Sequence, residues 1–300
     1  VSLFAVLAVS RPELLGITPP PGEALLGLSR ATHQAERMVG PASALWLMVF
    51  VLPMFLFPPD APAKATSPWR AAAEGAAALL ATLKRLARYR NPAIFLLAFM
   101  IYNNGLAAVI AFGGIYAAGI FGWGTTELGI FGIILTIFAA AGAFGGGWLD
   151  DRLGSRLTVL AAVAGVTVAT LGIMSIARDS ALFVVALNPR AADGALFASA
   201  QERVFLVFAI LLGIGMGPMQ AASRTLVARL APPGMAGEFF GLFALSGRAT
   251  AFLAPLLVAV ATDAFASQRA GLAVVLVFLV AGFVLMLKVR EEQARPLISA

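Results

Sequence analysis

Gly147-Trp-Leu-Asp-Asp151-Arg152-Leu-Gly154-Ser-Arg156-Leu157 joins two apolar runs, Leu128 to Leu149 and Leu157 to Ala177. Each run reaches the ~20 residues that a membrane-spanning helix requires, so the joining stretch reads as a turn at a membrane surface. Glycine at 147 and 154 lets the backbone turn tightly. Asp151 can accept from Arg152, from Arg156 or from the N-terminus of a neighbouring helix, and so hold two helices together on one face. The same residues also suit a plain solvated turn, because short acidic and basic loops between spans are common.

Working outward, five further runs share this character: Ala42 to Phe57, Ala93 to Phe121, Val204 to Ala222, Phe239 to Thr262 and Ala270 to Leu287. Ala42 to Phe57 reaches spanning length only by borrowing flanking residues. Hydrophobic residues make up 60% of the chain and charged residues 12%, with a mean hydropathy of +0.92. Soluble domains carry about a quarter charged residues. The chain therefore reads as an all-α, polytopic transmembrane helix bundle whose first partner is the lipid bilayer. A membrane β-barrel would alternate apolar and polar residues over ~10-residue segments, and these runs are apolar on every face. Val1 to Val9 is apolar, too short to span, and lacks the basic start and cleavage site of a signal peptide. It reads as the end of an eighth helix, which makes this chain the C-terminal part of a longer one and its missing N-terminal half a partner. Such a part alone is not expected to transport, because alternating access needs two halves.

Charge sets the expected sidedness. The segments after the first, third and fifth full runs, together with the C-terminal tail, carry thirteen Lys and Arg residues, against seven in the alternate segments. The positive-inside rule places the richer side, and with it the C-terminus, in the cytoplasm. The net charge of +6 sits in these loops, where orientation and lipid headgroups account for it without nucleic acid. On the same side, Pro58 to Asn91 contains an alanine-rich helical pattern from Trp69 to Arg90, whose basic end would rest on anionic headgroups. Arg178 to Arg203, on the other side, has the turn signals Asn188-Pro189 and Asp193-Gly194 and carries no assigned chemistry.

Several chemistries are absent. The chain has no cysteine, which excludes disulfides and thiolate metal sites. A single histidine, His33, makes metal binding improbable. Gly213-Ile-Gly-Met-Gly217-Pro218 lacks both the spacing and the preceding strand of a dinucleotide site. No cofactor or metal is expected. No buried nucleophile and base pair suggests an enzyme. Gly213 to Gly217 and Gly142 to Gly146 read instead as small-residue seams for close helix approach.

The polar residues inside the apolar runs are the candidate solute or gating contacts. Arg248 is the one charged side chain inside any run. Ten residues beyond Glu238, it lies ~15 Å deep if Glu238 marks the surface. A guanidinium there needs a partner, a wet cavity or a ligand, unless it snorkels toward the surface. Tyr102, Asn103 and Asn104 with Gly105 follow Pro92 by ~18 Å of helix. These amides beside a glycine can interrupt a helix and offer donors and acceptors to a polar solute, or they can bond helices together. Gln220 and Arg224 share a helix face near the end of their run. No run contains Asp or Glu; Glu127, Asp150 and Asp263 stand at run ends.

The turn at Gly147, Leu149, Asp151, Arg152, Gly154 and Arg156 resembles the signature loop of the major facilitator superfamily, Gly-x-Leu-Ala-Asp-Arg-x-Gly-Arg-Lys. Asp150 replaces its small residue and Ser155 its first basic one. The resemblance implies the loop between helices eight and nine, so residues 1–57 hold the end of helix five, an external loop and helix six. Residues 58–91 become the cytoplasmic central linker, 92–290 the six-helix C-terminal half and 291–300 a cytoplasmic tail. A narrower likeness rests on Tyr102-Asn-Asn-Gly105, on Gly217-Pro-Met-Gln220 through Arg229-Leu-Ala-Pro232-Pro-Gly234, and on Ser246-Gly-Arg-Ala-Thr250. It points to the branch of autophagy-linked vacuolar amino-acid effluxers and their bacterial relatives, which more often has Asp where this chain has Asn104. That branch implies a secondary transporter of a small polar solute, and amino acids in particular, in the plasma membrane of a bacterium. A membrane assembly factor or scaffold of the same fold is the alternative.

Overall fold

The structure is a computed structural model that describes residues 34–57, 67–177, 179–186 and 196–291. Val1 to Val9, His33, the start of the linker at 58–66, both turn signals of the second long loop and residues 292–300 lie outside the described residues. The chain divides into two units, residues 1–68 with 123–133 and residues 69–122 with 134–300.

In the first unit, α1 (Val39–Leu56) is an apolar helix with Pro53 near its end. Trp46 and Phe50 lie one turn apart with ring centroids at 4.1 Å. α1 is the shorter apolar helix among the described residues, as a run that reaches spanning length only with flanking residues would be. The Trp123 to Ile133 part contains a Trp123 and Phe131 ring contact at 5.7 Å.

α2 (Pro68–Arg85) is an alanine-rich helix that enters the second unit at Trp69 and stops short of the Arg90 expected from the sequence pattern. The long elements follow: α3 (Arg90–Phe121), α4 (Thr125–Leu153), which belongs to this unit from Ile134 onward, α5 (Ser155–Met174), α6 (Ala200–Leu230), α7 (Ala236–Ala249), α8 (Leu253–Ala264) and α9 (Gln268–Leu287). Six spans are long and apolar enough to cross a membrane among the described residues, with α7 and α8 together forming one of them, Ala236–Ala264. Helices are the expected form, since lipid offers the backbone no hydrogen-bond partner and a helix satisfies its own. A two-residue hairpin, β1 (Ser180–Ala181) with β2 (Val185–Ala186), lies in the connection before α6 and leaves the helical class unchanged. The next helix begins on a Ser199 cap, which accepts from the Glu202 amide while Glu202 returns to the Ser199 amide, a reciprocal capping box.

Small residues decide which helices touch. A Cβ at Gly142 would fall on the Ile214 carbonyl, and one at Gly217 on the Ala139 carbonyl and the Ala143 amide. At Gly213 it would stand 3.1 Å from the Leu135 carbonyl. The two expected glycine seams therefore close on each other, bringing the backbones of α4 and α6 together. α3 packs against α9, α7, α6 and α8. Gly105 meets Phe278 and Leu279, and Gly282 meets the Tyr102 backbone, which settles α9 on the middle of α3.

Asn103-Asn104-Gly105 does not interrupt its helix; α3 is continuous from Arg90 to Phe121. The break falls at Thr250-Ala251-Phe252, between α7 and α8, inside the run read as one helix from Phe239 to Thr262. Pro255 contributes to it: it cannot donate to the Ala251 carbonyl, and its ring crowds that group.

Candidate functional site

The middle of α3 and the break between α7 and α8 form one polar group. Asn103, ~20 Å along α3 from Arg90, donates from Nδ2 to the Gly247 carbonyl at 3.2 Å, and its Oδ1 accepts from Gln220 Nε2 at 2.9 Å. Asn104 Nδ2 donates to the Met100 carbonyl at 2.6 Å and to Thr250 Oγ1 at 2.7 Å. Three spans thus meet through two amides. Gly247 permits this, since a Cβ there would stand 3.0 Å from the Phe99 ring and 3.6 Å from Asn103 Nδ2. Beneath the amides, Phe99 stacks on Phe243 at 4.0 Å and holds α7 against α3.

The candidate residues separate by position. Tyr102 and Asn104 are buried and join helices. Ser223 Oγ donates to the Met219 carbonyl at 2.5 Å, so Tyr102 donates to Ser223 Oγ at 2.6 Å. Asn104 Oδ1 is buried with no partner among the described residues. Asn103 and Gln220 are half-buried at the edge of the group. Arg248, in the last turn of α7, is exposed and takes part in none of these bonds. No carboxylate among the described residues lies within ion-pair reach of it. A cation in the last turn offsets the negative end of α7, and the guanidinium remains open to a further partner. Arg224 is exposed and stays apart from the amide group.

The motif loop takes a different form from the one expected. Asp150 is the buried acid, whereas Asp151 is exposed. Asp150 Oδ1 accepts from Ser155 Oγ at 2.6 Å and lies 3.8 Å from Arg229 Nη1. Arg152 stacks its guanidinium 3.9 Å from the centre of the Trp148 ring. The helix N-terminus expected for Asp151 is taken by Glu291, which accepts from the Ser155 and Arg156 amides at 3.2 and 2.7 Å and from Arg229 Nη1 at 2.7 Å. Gly154, at φ +85°, leaves the space that Glu291 fills. Arg156 Nη2 donates to the Leu287 carbonyl at 3.0 Å. Three spans are tied here, α4 and α6 to the start of α5, through a residue assigned in sequence to the tail. An acidic Glu291-Glu292 pair in a basic tail is the signal that marks it.

The described residues thus form a helical bundle of six spans, the fifth interrupted, with a polar group bonded across three of them. The family described as Vacuole effluxer Atg22 like matches residues 26–297. This chain belongs to that family. Among curated relatives, the Atg22-like chain is 26% identical over 213 residues to an uncharacterized MFS-type transporter, YxiO, of Bacillus subtilis, covering 70% of this chain and 44% of that protein. It is 25% identical over 218 residues to autophagy-related protein 22 of Cryptococcus neoformans, covering 71% and 38%. The chain spans less than half the length of these relatives. In fold, it is similar to the inward-open xylose transporter XylE of E. coli, with a TM-score of 0.53 at 17% identity over 67% of this chain and 47% of that one. A D-xylose-proton symporter gives 0.52 at 18% identity, over 67% and 48%. The Atg22-like chain is thus an integral, multi-pass membrane protein of the major facilitator fold.

Proposed function

We propose that the protein is a secondary active transporter that moves a small polar solute bearing an anionic group, with amino acids the leading class. It would work by alternating access, two halves rocking about a site near the bilayer midplane. The observation that carries this reading is Arg248 on an interrupted helix. The last turn before the break carries a permanently charged fork with no acidic partner among the described residues, next in sequence to Gly247, whose carbonyl accepts from the half-buried Asn103 that also bonds Gln220. A carboxylate suits the fork, and the amides supply donors and acceptors for the rest of a polar solute. We place the protein in a bacterial plasma membrane with the linker and C-terminus in the cytoplasm, an orientation that the basic asymmetry supports.

Uptake of radiolabelled amino acids into liposomes holding the full-length protein, with both halves present, tests the reading. Arg248→Met should abolish saturable flux at matched incorporation. Arg248→Lys should reduce it at least tenfold, since an ammonium does not reproduce a planar bidentate contact. Wild-type flux in both variants would leave Arg248 as an anchor. A wild-type protein that carries no solute would favour the assembly-factor alternative.

A further inference from the structure

At the end of the bundle where α3 and α5 begin and α4, α6 and α9 finish, Arg90, Arg152, Arg156, Arg229, Lys288 and Arg290 line one cavity of about 1280 Å³. Its acidic lining residue, Glu291, is already engaged by Arg229 and by the Ser155 and Arg156 amides. None of Arg90, Arg152, Lys288 and Arg290 forms an ion pair with a carboxylate among the described residues. The guanidinium Nε of Arg156 is buried with no partner among them. Clamping α4 and α6 onto α5 requires Arg229 and Glu291; it does not account for the other cations gathered on the same wall.

The lip of the cavity is apolar. Leu153, Leu157 and Leu287 are 52%, 45% and 50% exposed, and they close the turns of spanning helices, where side chains meet the lipid at headgroup depth. A free anion would use only the cationic wall. A phospholipid would use both parts, its phosphate against the arginine forks and its glycerol and upper acyl carbons against the leucines. We propose that this cavity binds the phosphate of an anionic glycerophospholipid from the adjoining leaflet. Basic recesses between spanning helices hold anionic headgroups by the same physics. The site is separate from Arg248 and from the amide group of α3, and stands whichever solute is carried.

Native mass spectrometry of the purified protein, titrated in detergent with phosphatidylglycerol, phosphatidylcholine or inorganic phosphate, tests the assignment. Phosphatidylglycerol should be retained and phosphatidylcholine should stay at background. The variant R90Q/K288Q/R290Q removes three exposed cations and leaves the Arg229 to Glu291 clamp in place. At roughly fivefold per cation near a charged surface, it should bind phosphatidylglycerol on the order of a hundredfold more weakly. Should that variant fail to fold, the wild type alone decides: its affinity for phosphatidylglycerol must fall with ionic strength. Equal retention of the two lipids, unchanged binding by the variant, or affinity indifferent to salt each overturns the proposal. Displacement of phosphatidylglycerol by millimolar phosphate, beyond that caused by chloride at equal ionic strength, would make the occupant a soluble anion and also overturn it.

Discussion

Adding one methyl group to the seam between α4 and α6 should separate the helices that carry the site. Gly217→Ala puts a Cβ into the α4 backbone, 2.5 Å from the Ala143 nitrogen and 2.9 Å from its Cα. Gly142→Ala does the same to α6 at Ile214. Main-chain atoms cannot rotate aside, so the helices must move apart, which for overpacked interiors costs about 1–3 kcal/mol. At about 2–4 °C per kcal/mol for a chain this long, the melting temperature should fall by several degrees. The structure supplies its own control: a Cβ at Gly145 or Gly147 meets nothing within 4 Å. Alanine there should be neutral or stabilising by up to about 1 kcal/mol, the helix propensity that glycine forgoes. Because both seam variants open the same gap, G142A/G217A should lose less than the sum of the single losses. Gln220 lies one turn beyond Gly217, so its 2.9 Å bond to Asn103 should be disturbed and uptake should fall with stability. Fluorescence-detected melting of the detergent-purified protein reads the first effect. A Gly217→Ala protein as stable as wild type, or a Gly145→Ala protein equally damaged, would refute the close approach on which the reasoning rests.

Three further outcomes follow from particular contacts. Arg229→Met leaves Asp150 and Glu291 facing each other without their cation; charge-assisted bonds contribute about 1.5–3 kcal/mol and partial exposure reduces that, so a loss of about 1–2 kcal/mol should appear as a lower melting temperature, and an unchanged one would contradict the clamp. A double-mutant cycle on Tyr102→Phe and Ser223→Ala should give a coupling of about 0.6 kcal/mol, the mean for interhelical bonds in membranes, and a coupling indistinguishable from zero would mean the 2.6 Å bond contributes nothing. Single cysteines at Ser67 and Ser299 should resist an impermeant maleimide in intact cells and react after lysis, whereas labelling of both from outside would invert the proposed orientation.

The sequence by itself determined the solvent, the element type and most of the spans. Runs of about twenty apolar residues leave a chain in lipid no choice but to satisfy its backbone as helices, and glycine spacing announced the α4 and α6 seam because nothing larger fits between two backbones. It also singled out Asn103 and Asn104, since polar side chains in an apolar run are costly and therefore conspicuous, but it set Gln220 apart near the end of its run and gave Gly247 and Thr250 no role. Tertiary structure decided their roles. Tyr102, Asn103 and Asn104 are neighbours in sequence, yet helix geometry turns two of them into the bundle and leaves Asn103 at its edge, a division fixed by which helices pack on each face. The helix break was in principle legible at Pro255, but Pro218 lies within the continuous α6, so proline alone does not decide where a helix opens. Gly247 and Thr250, bonded to Asn103 and Asn104, are part of that context. At the motif loop the choice between adjacent acids, Asp150 over Asp151, depends in part on Arg229, 79 residues away, and the arrival of Glu291 depends on the Ser155 and Arg156 amides, 136 and 135 residues before it. An ion pair forms wherever folding delivers two charges to the same few ångströms, and no local pattern in the chain records that meeting.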